Sequence, residues 1–249
     1  MVTPPDPHEI AAFRAARTDV LDRIARACAR VDRDPADVAL IAVSKTVPTD
    51  RLRAAVDAGL TALAENRVQE GESKRPEVPG ATWDLIGPLQ SNKARRALET
   101  FDRIQSVDSV DLARRLDRLS SEVHPGRRYP ILLQVNVDAD PAKAGFDPGA
   151  VTAALDAIAA LESLTVEGLM TIGRFGVAEG ETRATFRALR SLADAARAAG
   201  ATLGGHLSMG MSDDYELAVE EGATIVRVGR ALFGERPHHH GDGAEEHAH

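Results

Sequence analysis

A few residues standing at the ends of apolar runs are where this chain could do chemistry. Lys45 follows the run LIAVS (Leu40 to Ser44). An ammonium there loses hydration unless an anion or a covalent partner compensates, and the neutral amine that desolvation favours is a nucleophile for an aldehyde. The position equally suits a rim lysine that snorkels outward or pairs with Glu65. Two glycine-bearing segments, HLSMGMSDD (His206 to Asp214) and VRVGRALFG (Val226 to Gly234), could offer backbone N–H groups to a phosphate-like anion. Ser208 would add a hydroxyl, while Gly210 and Gly229 leave the backbone open to close approach; singly, each glycine also fits an ordinary tight turn. Arg227, inside TIVRVG, needs an acceptor, because an unpaired buried guanidinium is very costly. A ring nitrogen, a phosphate or a carboxylate would serve.

The elements that must carry these residues can be read from hydrophobic periodicity. From Glu9 to Val31 the apolar positions recur at three- and four-residue steps, which predicts a long amphipathic helix. Short apolar runs follow at Val38–Ser44, Ala62–Glu65, Trp83–Gly87, Arg103–Val107, Pro130–Asn136, Leu164–Ile172, Gly205–Met209 and Thr224–Gly229. Helical patterns separate them, as at Ser109–Val123, Gly149–Leu161, Glu181–Ala199 and Asp213–Glu221, with Asp and Ser as start signals and Gly200 and Gly222 as stops. Strand and helix alternating in this way predict an α/β fold, a (β/α)8 TIM-type barrel behind an extra N-terminal helix; an open doubly wound sheet is the competing arrangement. In a barrel the working face lies at the C-terminal ends of the strands. Lys45, Asn66, GPLQSNK (Gly87 to Lys93), Ser106, Asn136, Thr171, Ser208 and Gly229 all close or follow strands, so they converge on one rim.

Composition narrows the classes. At 249 residues and 43% hydrophobic, the chain can bury a full-sized core as one domain, expected over residues 1–237. A formal charge of −8 disfavours nucleic acid as a partner. The single cysteine, Cys28, excludes an internal disulfide and fits a reducing compartment, so a cytoplasmic location is expected. No stretch approaches the roughly 18 apolar residues of a membrane span. The histidine-rich tail, residues 238–249, lacks apolar groups beyond alanine and is expected to be disordered, with no metal role assigned.

A lysine that traps an aldehyde, a phosphate cradle and an arginine on neighbouring strand ends together match the needs of pyridoxal 5'-phosphate (PLP). The segments AVSKTVP (Ala42 to Pro48), AENRVQE (Ala64 to Glu70), WDLIGPLQSNK (Trp83 to Lys93), QVN (Gln134 to Asn136), GLMTI (Gly168 to Ile172), LSMGMSDDYE (Leu207 to Glu216) and VRVGRALFG (Val226 to Gly234) resemble the PLP homeostasis protein family, the YggS/PROSC-like proteins. The resemblance implies a barrel like the N-terminal domain of alanine racemase, with Lys45 as the Schiff-base lysine. It further implies that Ser208 and the backbone at Gly229 and Arg230 hold the phosphate, that Arg227 faces the pyridine nitrogen, and that Asn66 lines the pocket. The chain departs from the family pattern at Ala64, Arg67, Asp84 and Arg230.

An arginine at the ring nitrogen makes the cofactor a weaker electron sink than a carboxylate does. Tyr129 is expected on the opposite face and Tyr215 on a helix leading away, so acid and base groups for racemization look incomplete. The leading expectation is a monomeric PLP carrier or buffer that serves PLP-dependent apoenzymes without turnover of its own. The alternatives are a PLP-dependent amino-acid racemase-like enzyme, or an aldolase or lyase that uses Lys45 on a substrate carbonyl.

Overall fold

A computed structural model of the chain describes residues 4–174 and 176–234. It opens with helix α1 (Pro7–Ala29) and then alternates β1 (Ala39–Val43), α2 (Thr49–Asp57), β2 (Ala62–Glu65), α3 (Val68–Lys74), β3 (Thr82–Leu85), α4 (Ala94–Thr100), β4 (Arg103–Val107) and α5 (Val110–Val123). The second half continues with β5 (Tyr129–Gln134), α6 (Val151–Ala159), β6 (Leu164–Met170), α7 (Glu179–Ala198), β7 (His206–Ser208), α8 (Tyr215–Glu220), β8 (Ile225–Val228) and the short α9 (Arg230–Phe233). Each strand pairs in parallel with the next, and β8 returns to β1 with Arg227 opposite Ile41, closing the sheet. The fold is therefore the TIM-type barrel with an added N-terminal helix that the alternation predicts. The expected tail at 238–249 lies outside the described residues.

Two apolar layers hold the barrel. Residues of alternate strand positions turn inward, and Ile41, Val43, Ala64, Ile86, Leu132, Met170 and Ile225 pack as an inner cluster. The outward positions, among them Trp83, Leu85, Ile131 and Leu169, join the buried faces of the surrounding helices in a larger shell. At Gly168 strand β7 leaves no room for a side chain: a Cβ there would lie 1.9 Å from the carbonyl oxygen of His206. Helix starts follow local chemistry. Asp6 accepts from the N–H of His8 ahead of α1, with Pro7 in the first turn, and the Ser109 hydroxyl accepts from Leu112 at the start of α5.

Several strands stop short of the apolar runs that predict them: β1 ends at Val43, β5 at Gln134 and β6 at Met170. At the mouth, polar residues exchange ladder bonds for loop bonds. The Asn136 N–H donates to Phe146 (2.9 Å), and its amide folds back onto the Asp140 carbonyl (2.8 Å).

Helix α1 packs against α2, α8 and α9 and so backs the β8–β1 sector. Phe13 meets Phe233 edge-on at 5.6 Å, and the Arg51 guanidinium lies 5.2 Å from the Phe13 ring. Among the described residues no helix is long and apolar enough to cross a membrane.

Candidate functional site at the C-terminal mouth of the barrel

Lys45 sits in a four-residue turn that ends β1, closed by the Val47 N–H donating to the Ser44 carbonyl (3.0 Å). Thr46 follows at φ +66°, a left-handed conformation that is a genuine outlier for a β-branched residue. Such strain costs about 1–3 kcal/mol and persists only where the surroundings over-determine it. The surroundings here are the buried Glu65 of β2 and the partly buried Lys74 of α3. Lys74 donates to the Ser44 carbonyl (2.9 Å) and to Glu65 Oε1 (2.7 Å), and the Ser44 hydroxyl donates to the same carboxylate oxygen (2.7 Å). Glu65 is fully buried.

Lys45 lines a cavity of about 280 Å³ together with Val43, Thr46, Gly229, Arg230 and Phe233, so the ends of β1 and β8 share one hollow. Gly229 has φ −114°, outside the left-handed region that favours glycine, and a Cβ added to it would meet only Val43, at 3.5 Å and 3.6 Å. Nothing in the fold forbids a side chain there, yet none fills the hollow. The Gly229 N–H points at the Ser212 hydroxyl (3.1 Å). Immediately after it, the Arg230 N–H opens α9, where the first amides have no acceptor within the helix. The Arg230 side chain turns outward to an exposed ion pair with Asp213.

Arg227 lies within the barrel wall, 3% exposed. Its guanidinium donates to the Ser208 hydroxyl (2.6 Å) and to the Thr171 carbonyl (2.8 Å). Neither acceptor is the ring nitrogen, phosphate or carboxylate that the sequence calls for, and burial lowers its pKa to about 10, with Asp214 the charge that opposes the fall. Ser208 in turn donates to Gln105 Oε1 (2.6 Å), and Gln105 donates to Asp84 (2.5 Å). Asp84 also holds Arg103 (2.7 Å), which reaches Glu167 (3.2 Å) near the opposite mouth. A chain of donors thus runs down the barrel interior from Arg227 to Asp84, which Arg103 meets by donating from the other side. The one proton of Ser208 is committed within it, and the hydroxyl nearest the Gly229 amide belongs to Ser212.

The structure therefore gathers Lys45, Gly229 and Arg230 around one hollow, with Arg227 and Ser208 beneath the rim. Asn66 lies elsewhere: it lines a neighbouring cavity with Arg67, Glu70, Pro88, Gln90 and Lys93. Tyr129 starts β5 at the far mouth and donates its hydroxyl to the Phe101 carbonyl (2.8 Å), and Tyr215 is buried beneath Arg23. Sequence reading missed Ser212, Lys74 and the inner chain of Asp84, Gln105 and Arg103. Polar residues alternating with apolar ones in TWDL and RIQSV carried a signal for the last group.

A parallel barrel with a lysine in the turn after its first strand, beside the last strand's glycine turn, defines a class. The family model for the N-terminal domain of alanine racemase matches residues 20–237. Solved alanine racemases, such as that of Clostridium difficile, share the fold at 16% identity and a TM-score of 0.67, covering 88% of this chain and 57% of theirs. Nearer relatives narrow the class. The pyridoxal phosphate homeostasis protein of Pseudomonas aeruginosa is 42% identical over 222 residues, 87% of this chain and 93% of its own. That of Escherichia coli K12 is 38% identical over 226 residues, 87% and 94% of the two chains. PipY of Synechococcus elongatus, solved with PLP bound, is 45% identical with a TM-score of 0.75, covering 85% of this chain and 100% of its own. The chain belongs to the pyridoxal phosphate homeostasis protein family, within the alanine racemase N-terminal domain fold.

Proposed function

We propose that this protein binds PLP as a Schiff base on Lys45 and serves intracellular PLP homeostasis as a carrier or buffer. The observation that carries the reading is the hollow shared by Lys45 and Gly229: the lysine after one strand lines it together with a turn, across the closing seam of the barrel, whose missing side chain leaves room for a ligand. The group fits the residues present. The amides at Gly229 and Arg230 and the Ser212 hydroxyl suit a phosphate. Arg227, whose acceptors are both neutral, has capacity for a further acceptor such as the ring nitrogen, steadied from below by Ser208. When bound, PLP supplies a reactive aldehyde; the chain's own residues hold its amine partner, its anion and its ring. Asn66, from the adjacent cavity, is proposed to border the ligand only on the β2 side.

Delivery to PLP-dependent apoenzymes, action as a monomer and a cytoplasmic setting belong to the same proposal. The names of the relatives, which specify PLP homeostasis, support the homeostatic role. The test is an absorption spectrum of purified protein after PLP addition, before and after borohydride reduction, followed by peptide mapping. A reduced adduct on Lys45, absent in Lys45→Ala, is expected. An adduct on other lysines, or none, would refute the assignment, and exchange of the α-hydrogen of amino acids with solvent would favour the racemase-like alternative.

A further inference from the structure

Behind the candidate lysine lies a set of ionisable groups that ligand binding does not require. Glu65 Oε2 is buried with no donor, although the opposite oxygen of the same carboxylate accepts from both Lys74 and Ser44. Glu70 Oε2 is likewise buried and without a donor. A proton kept on Glu65 and donated to Glu70 satisfies both bare oxygens. Burial foremost, and then the neighbouring Glu70, raise the Glu65 carboxyl to about 7, against the opposing pull of Lys74 and Ser44.

We propose that Glu65, Glu70 and Lys74 are positioning residues for Lys45: the carboxyl pair shares one proton, and Lys74 ties it to the Ser44 carbonyl, holding the strained turn that presents the amine. The geometry carries the claim. Lys74 reaches the carbonyl of the residue just before Lys45, that carbonyl also closes the turn through Val47, and the turn contains the left-handed Thr46. Without the Lys74 clamp, Thr46 is free to relax toward an ordinary conformation and carry Lys45 with it. The charged or titratable groups that face Glu65 are Lys74 and Glu70 from α3, with the Ser44 hydroxyl from β1. Loss of the proton strengthens the attraction of Lys74 to Glu65 but sets that carboxylate against Glu70, so the packing of the cluster around the turn changes as pH rises through neutrality.

This inference rests on Lys45 being the working amine, but its test does not depend on PLP. Trace acetylation of the ligand-free protein, read by peptide mass spectrometry from about pH 6 to 9, gives the reactivity of Lys45 relative to Lys93 in the same molecule. In Lys74→Met the ratio is expected to change about tenfold, the effect of moving an amine pKa by about one unit, while circular dichroism stays native. In Glu70→Gln, where an amide supplies the hydrogen of the shared proton, the ratio near pH 6 should remain that of the parent and its inflection near neutrality should vanish. A ratio unchanged in both variants at every pH, with only the thermal midpoint lowered, would make the cluster purely structural and overturn the proposal; should Lys74→Met not fold, Glu70→Gln alone decides. PLP uptake by the parent protein is scored separately, so failure of the cofactor reading is distinguishable from failure of this one.

Discussion

Replacing Glu65 by Gln should remove a pH dependence of stability rather than stability itself. The Glu65 carboxyl is raised from an ordinary 4.5 to about 7, chiefly by burial. Between those values the folded chain keeps a proton that the unfolded chain releases, so the stabilisation is complete below about pH 4.5 and is lost as pH rises through about 7. At 1.36 kcal/mol per pH unit, the loss amounts to at most about 3 kcal/mol. In Glu65→Gln the amide oxygen still accepts from Ser44 and Lys74, and the amide nitrogen donates toward Glu70 where the shared proton stood. Urea unfolding of parent and variant at intervals from about pH 4.5 to 8 is the assay. His206, which burial shifts downward, contributes a slope of opposite sign, but equally in both proteins, so it cancels in the difference. The parent should lose up to about 3 kcal/mol relative to the variant across the window. Parallel profiles would refute the shared proton, and a variant that falls more steeply than the parent would reverse the sign of the argument.

Other consequences follow from single positions. Gly229→Ala should fold with stability within about 0.5 kcal/mol of the parent, since its Cβ meets only Val43 at ordinary contact distance. Its PLP affinity, titrated by absorbance, should nevertheless drop tenfold or more, about 1.4 kcal/mol. Thr46→Gly relieves a left-handed threonine at the expense of chain entropy, so thermal unfolding should show a stability change between zero and about +1 kcal/mol. Asp84→Ala leaves Arg103 partly buried without its main carboxylate and should cost about 3–5 kcal/mol in urea. Lost stability below about 1 kcal/mol would mean that water replaces the pair.

The barrel itself was legible in the sequence because its signal is local and repeated. Each strand is a short apolar run buried on both faces, each helix has a periodic stripe with its own caps, and the alternation of the two leaves few topologies. Lys45 and Gly229 were legible for the same reason: their place at strand ends follows from one-dimensional position, and the C-terminal mouth of a barrel gathers such ends whatever lies between them. What the chain does next to them was not. Ser44, Glu65 and Lys74 become neighbours only when β1, β2 and α3 pack, and Arg227 takes its hydroxyl partner from β7 and its carbonyl partner from the residue after β6. Hydrogen bonding and the sharing of a proton depend on distances of about 3 Å between residues far apart in sequence, together with the exclusion of water around them. Sequence pattern determined which residues reach the mouth; tertiary packing decided which atoms meet there and which side chain holds the lysine's turn in place.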